Sequence, residues 1–361
     1  MTQLLAPCFG SGKNGVLNVT TDTSINTYSS CSGSSGSTSL TVTTTGGFQA
    51  GDLIKIHKSR GNTTTTCGAN EFNRIVSVGS GSFTLLLPLA NAYQDSGADQ
   101  SQVIRIPEYS QANIASSVYP SDSWASTHNT GGIVILFCNG VTNIEASGGI
   151  QVSTYGFAGG PQVDNNNQGW QGEGTGGAGI QGSASANGSG AGGGVNANDS
   201  GAGGGNATVG ESAGARVGGA ASGSTDLATM TFGGGGGSSD NHTGVNGGCW
   251  GGNGGGIIII YSRILTVAGY IAANGQDGGT RADIPGGGGA GGSILIVSQQ
   301  ATLGSGLVTA NKGNKGNTLA GDGAAGRIRV EACSISGTTS PSASIIEGGQ
   351  SYCGSLASII A

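Results

Sequence analysis

Three histidines, seven cysteines and 19 carboxylates are the groups in this 361-residue chain with the most chemistry to offer. His57, His128 and His242 are far apart, and no histidine pair has metal-ligand spacing such as His-x-x-x-His. His57 falls in an expected strand ahead of Lys58 and Arg60 and is expected on an exposed face; His242, in "SSDNHTG", is expected at a loop tip. Cys8, Cys31, Cys67, Cys138, Cys249, Cys333 and Cys353 are scattered and lack C-x-x-C spacing, which disfavours a zinc or redox motif. One or two disulfides and buried free thiols both remain open. "GSGKNG" (Gly10–Gly15) has Asn14 after the lysine where a phosphate loop needs Ser or Thr, so it reads as a turn. "NGQDGG" and "AGDGAAG" share glycine and aspartate with calcium-binding nonapeptides, but neither repeats the full pattern. Paired carboxylates could hydrolyse glycosides. Here Asp226, Asp240, Asp277, Asp283 and Asp322 sit in glycine-rich stretches and read as turn formers or solubilising groups. The expectation is a chain with no catalytic residue, no metal and no cofactor.

Binding is the chemistry that remains. "GPQVDNNNQGWQGEG" (Gly160–Gly174) carries Trp170 with Asn166 and Asn167, and "GGSSDNHTGVNGGCWGG" (Gly236–Gly252) carries His242 and Trp250. "NGQDGGTRADIPGG" carries Arg281, and "NKGNKGNTLAGDG" carries Lys312 and Lys315. Aromatics offer contact area with few rotors, and amides offer adaptable hydrogen bonds, a combination suited to carbohydrate or an outer-surface protein. The competing role for Trp170 and Trp250 is to plug the ends of a glycine scaffold. Tyr155 and Phe157, next to a strand, are expected in the core.

These loops need elements to hold them. Glycine supplies 76 residues, and only 9% of the chain is charged. The net charge is −6, and between Glu108 and Ala215 there are seven carboxylates and no Lys or Arg. Nucleic acid is therefore not an expected partner. The N-terminal "MTQLLAPCFGSG" shows no basic stretch leading into a long apolar one, so no secretory signal is read there. No apolar run approaches the roughly 20 residues that span a bilayer.

Up to about residue 110, "GDLIKIHKS", "RIVSVGSGSFTLLLPL" and "SQVIRIPEY" alternate like strands of a small antiparallel barrel or sandwich. Beyond it one unit recurs: two small residues, an apolar strand, a polar step, a second strand and a turn. Its copies start at Gly131, Gly255, Gly291 and Ala325. Such units stack, because one alone cannot bury its apolar face. Runs such as "IIII" (Ile257–Ile260) are expected to be covered on both sides.

A long insertion, about 157–256, separates the first two copies and is rich in glycine. Its default reading is a flexible linker. However, its glycine tracts are short, lie inside a repeat, and alternate with Ile180, Val195, Val217 and Met230, which favour burial. The competing reading is a bundle of polyglycine-II helices, with about three residues per turn and amides that must bond to neighbouring segments. "GGGGG" (Gly233–Gly237) would then form a rod about 15 Å long. The isoleucines that follow would clamp the bundle onto an apolar core.

The segments "NTGGIVILFCNG" (Asn129–Gly140), "YGFAGG" (Tyr155–Gly160), "TDLATMTFGGGGG" (Thr225–Gly237), "GGNGGGIIIIYS" (Gly251–Ser262), "LTVAGYIAANG" (Leu265–Gly275) and "GGGGAGGSILIV" (Gly286–Val297) resemble a glycine-rich β family of phage virion proteins and bacterial surface proteins. In architecture the rhythm is similar to the polyglycine-II sandwich of phage tail-fibre adhesins, whose loops touch the bacterial surface. The chain differs in having a separate N-terminal β domain and longer spacers. The resemblance implies an all-β fold with polyglycine-II: an N-terminal barrel or sandwich, then a glycine-rich stacked-strand solenoid or polyglycine sandwich. The expected boundaries are 1–110 for a docking domain, 111–333 for the glycine-rich domain with exposed loops, and 334–361 for a C-terminal extension. The implied function is a non-enzymatic virion surface protein, a tail-fibre or spike adhesin. Its expected partners are other virion proteins through the N-terminal domain and a host surface glycan or outer-surface protein, with homo-oligomerisation left open. The alternatives are a structural bacterial cell-surface or matrix protein and a polysaccharide-degrading tailspike.

Overall fold

The computed structural model describes residues 8–61, 66–127, 129–163, 167–196, 199–240 and 248–347. Almost every regular element is a strand. β1 (Val16–Val19) precedes a closed antiparallel barrel of β2 (Thr27–Ser32), β3 (Ser39–Val42), β4 (Leu53–Arg60), β5 (Asn70–Val78), β6 (Ser82–Leu85) and β7 (Gln100–Ile106), in the order β2-β3-β6-β5-β4-β7. Alternation fills the barrel: Leu40, Ile54, Ile56, Phe83 and Val103 share its interior.

The chain continues through β8 (Glu108–Tyr109), β9 (Gln111–Ile114), β10 (Ser117–Val118), the single helical turn α1 (Trp124–Thr127), β11 (Ile133–Ile144) and β12 (Gly149–Gln151). After the insertion come β13 (Ile257–Val267), β14 (Tyr270–Ala272), β15 (Ser293–Thr309), β16 (Arg327–Ser340) and β17 (Ser344–Glu347). All of these strands pair parallel, and β1 joins them at β9 rather than joining the barrel. The repeats stack in register: Val134, Ile258, Ile294 and Ile328 are neighbours across four strands, as are Leu136, Ile260, Ile296 and Val330.

Both faces of β11 and β13 are buried over their first six residues, which accounts for the unbroken isoleucines. Ile258 and Ile260 point into the core enclosed by the two rows of parallel strands, with Ile150, Ile271 and Val308. Ile257, Ile259 and Tyr261 point the other way, to a second core with Tyr28, Leu53, Ile104 and Ile106 of the barrel and with Trp124, Phe157 and Phe232. In that second core the Trp124 and Phe232 rings lie 5.3 Å apart and Phe157 meets Phe232 edge-on at 5.4 Å. Phe157 and Phe232 each enter a glycine-rich stretch, so this cluster seats the insertion against the sheet.

Among the described residues the insertion contains no regular strand. Its backbone groups bond to neighbouring segments with a three-residue rotation. Gly233 and Gly236 donate to Gly255 and Gly252; Gly234 and Gly237 donate to Gly205 and Ala202; Gly235 and Ser238 donate to Glu173 and Trp170. The carbonyls rotate likewise. Phe157 and Gly160 donate to those of Gly233 and Gly236, Ala290 and Gly287 to those of Gly234 and Gly237, and Ala191 and Gly194 to those of Gly235 and Ser238. These bonds are 2.8–3.3 Å long, and they surround one segment with six others. Segment 286–292 repeats the rotation, donating in turn to 273–279, 234–237 and 321–324. Buried amides are thereby satisfied without a ladder.

Glycine is required by the spacing. A Cβ on Gly234 would lie 1.8 Å from the Ser189 carbonyl oxygen, and one on Gly235 would lie 1.9 Å from that of Ala158. Two expectations fail here. Ile180 and Val217 are exposed, because their backbones bond inward and their side chains are left on the outer edge of the array; Met230 alone of the expected apolar set is fully buried. Asp240 is buried rather than solubilising, and its Oδ1 accepts from the Asp199 N–H at 3.0 Å.

Candidate functional site

The glycine segments leave the sheet at Gly256, Gly292 and Gly326, so the ends of 233–240, 249–255 and 286–290 remote from those points lie away from the sheet. There the Ser239 N–H donates to Cys249, Gly201 to Pro285 and Gly279 to Trp250. Trp250 is 46% exposed at this rim. A Cβ on Gly279 would sit 3.2 Å from Trp250 Cδ2, so the ring rests against bare backbone. Arg281 follows two residues on and pairs with Asp283 at 3.0 Å. Asn317 Nδ2 donates to the carbonyls of Arg281 and Ala282, tying the loop at 281 to the loop at 317. The rim therefore gathers an aromatic face and a guanidinium, on loops that the Asn317 amide ties together.

Lys312 and Lys315 lie beside this rim in a small ion network. Lys315 Nζ contacts Glu211 at 2.8 Å, Lys312 pairs with Asp322, and the Asp322 N–H donates to Glu211 at 2.9 Å. The hydrogen bond to Lys315 holds the Glu211 carboxyl below its ordinary value and raises the Lys315 ammonium above its own. Partial burial pushes Asp322 up, but hydrogen bonds from Lys312 and the Lys315 backbone outweigh it and leave the carboxyl lowered.

Trp170 stands elsewhere. It is half-buried, its N–H donates to Ser238 Oγ at 2.8 Å, and its carbonyl accepts from the Ser238 N–H at 2.9 Å. With Arg60, Glu173, Asn253 and Ala178 it lines a cleft of about 520 Å³ between barrel and array. Asn167 is exposed nearby, while Asn166 and His242 lie outside the described residues. Arg60 and Glu173 meet at 2.5 Å, both buried. The sequence reading missed this pair. Its one signal was a lone acid among glycines in a span without Lys or Arg, whose counter-charge had to come from another part of the chain.

His57 corrects the sequence expectation. It is buried, because the outer face of β4 is covered by residues 230–232 rather than by water. Its Nε2 lies 2.9 Å from the Met230 carbonyl and its Nδ1 lies 2.9 Å from Ser59 Oγ. A carbonyl can only accept, so Nε2 carries the proton and Nδ1 accepts from Ser59 in the neutral ring. Burial lowers the imidazole to about 4; the Met230 bond opposes this and the Lys55 charge adds to it. Both nitrogens are thus occupied structurally. Lys58, also buried, pairs with Asp99 at 2.6 Å. Cys31, Cys138 and Cys249 are buried free thiols. Among the described residues no three His, Cys, Asp or Glu side chains gather as a metal site, and no helix is long and apolar enough to cross a membrane.

No protein-family model matches the chain, and no curated protein matches it. Among solved structures, the Gp54 tailspike of Acinetobacter baumannii bacteriophage AP22, in complex with A. baumannii capsular saccharide, aligns at 10% identity and a TM-score of 0.20. The alignment covers 90% of this chain and 51% of that one, so this chain spans about half the tailspike's length. At that score the likeness carries no argument about fold or function.

Proposed function

We propose that the chain is a non-enzymatic virion surface protein, a phage tail-fibre or spike adhesin that binds a host surface glycan or outer-surface protein. The observation that carries this is the rim at Trp250, Arg281 and Asn317: an exposed aromatic beside a guanidinium, on loops tied by an amide and held at the end of a glycine array remote from the sheet. The three-residue rotation of donors supports a polyglycine-II array, which fixes loops without spending side chains on a core. Fixed loops lose little entropy on binding. Several copies on one particle would add weak contacts into stable attachment.

The barrel is the proposed dock to other virion proteins. Val76 and Val78 on β5 are 51% and 38% exposed. Among the described residues Glu173 is the one carboxylate lining the cleft, and Arg60 holds it; glycoside hydrolysis uses two. This favours the adhesin over the polysaccharide-degrading tailspike.

The test is binding of the labelled full chain to candidate host cells, with unlabelled protein as competitor. Saturable, competed binding supports the adhesin reading. No binding to any host strain by folded protein would overturn it and favour a structural role.

A further inference from the structure

We propose that the cleft between barrel and glycine array is a saccharide subsite selective for uncharged sugar residues. The inference rests on the adhesin reading and assigns it a second contact region, distinct from the rim at Trp250.

Three observations lead there. First, a cleft of about 520 Å³ falls within the range of small-molecule sites, about 300–1,000 Å³. Second, its exposed surface is mostly carbon, with Trp170, Pro161 and Ala178 in its lining and Asn253 beside them. An aromatic face accepts the C–H face of a sugar ring, and a neighbouring amide serves its hydroxyls. Trp170 is well placed for this because both its N–H and its carbonyl are pinned to Ser238.

Third, the cleft holds no unopposed positive charge for an anion among the described residues. Arg60 is the one cation lining it among the described residues, and its charge is offset by Glu173 at 2.5 Å. The backbone N–H groups of Ala158 and Gly159 would be the natural donors to a carboxylate or phosphate. Ala158 already donates to Glu173 Oε2 at 3.0 Å, and Gly159 to Asn253 Oδ1 at 2.8 Å. An acidic sugar would surrender its hydration and find no unopposed positive charge to replace it. An uncharged ring loses only weakly held water from the carbon surface.

The experiment applies the full-length protein to a printed array of bacterial surface glycans, neutral and acidic. Trp170→Ala, Ala178→Phe and Trp250→Ala are run beside the parent. Ala178 is exposed, so Ala178→Phe fills the cleft without entering the array and guards against misfolding of Trp170→Ala. The expected result is binding to neutral glycans, weakened roughly tenfold or more by both cleft variants. Binding confined to acidic glycans would overturn the inference. So would glycan binding that Trp250→Ala abolishes and both cleft variants leave intact; the adhesin reading would survive that result with recognition at the rim alone. Saturable cell binding with no glycan bound would likewise overturn the cleft and leave an outer-surface protein as receptor. Loss of both cell and glycan binding in folded parent protein would overturn the adhesin reading itself.

Discussion

Arg60 of the barrel and Glu173 of the glycine array meet at 2.5 Å although 113 residues separate them, and both are buried. The barrel and the array are therefore joined by a charged contact as well as by an apolar one. Removing one partner leaves the other charge desolvated and alone, which typically costs about 3–5 kcal/mol. Glu173→Ala also strands the Ala158 N–H. It should lower the unfolding midpoint sharply in urea, whereas the double change Arg60→Met with Glu173→Met should recover much of the loss. A cost below about 1 kcal/mol for Glu173→Ala would mean that water reaches the pair.

His57 gives the same seam a pH dependence. In the unfolded chain it takes up a proton below about 6.5; in the fold burial delays this to about 4. The unfolded state thus binds more protons between these values, and stability contributed by the neutral ring is lost as pH falls from about 6.5 through about 4. His57→Gln keeps a donor for Met230 and removes the titration. Unfolding measured across pH 7 to 4 should show the parent losing a few kcal/mol more than this variant. Parallel curves would show that the ring is not held neutral.

The repeat was legible because the start points at Gly131, Gly255, Gly291 and Ala325 coincide with strands that pair in register. The barrel was legible in its alternation. The face that β4 turns to the array was not: "KIHKSR" reads as a strand with an exposed polar face, and a cover from residues 230–232, far along the chain, makes that face interior. Local pattern reports period and not what packs on top. For the same reason Trp170 and Trp250 read as equivalent in sequence. The register of their segments places one in a cleft and the other on an open rim.

The close spacing of the glycine segments makes single methyl groups costly. A Cβ on Gly235 would lie 1.9 Å from the Ala158 carbonyl oxygen, and backbone on all sides prevents relief. Gly235→Ala should therefore exceed the usual 1–3 kcal/mol of an overpacked core and abolish soluble expression or cooperative unfolding. Gly46→Ala is the matched control: its Cβ meets only Thr44 Oγ1, at 3.6 Å, and it should change stability by no more than about 0.5 kcal/mol. Equal behaviour of the two would argue that the array is loose.

Trp250 and Lys315 are both candidate contacts, but their surroundings rank them. Trp250 is 46% exposed against bare glycine backbone, so its truncation should cost little stability and much of any binding. Lys315 is engaged with Glu211 at 2.8 Å and would have to leave that carboxylate to reach a receptor. An exposed pair of this kind contributes about 0–1 kcal/mol to folding, so Lys315→Met should also leave the protein folded. Competed binding to host cells should fall roughly tenfold or more for Trp250→Ala and less than about twofold for Lys315→Met. The reverse order would place recognition on the ion network that joins Glu211, Lys315, Asp322 and Lys312, and binding would then weaken steeply with added salt.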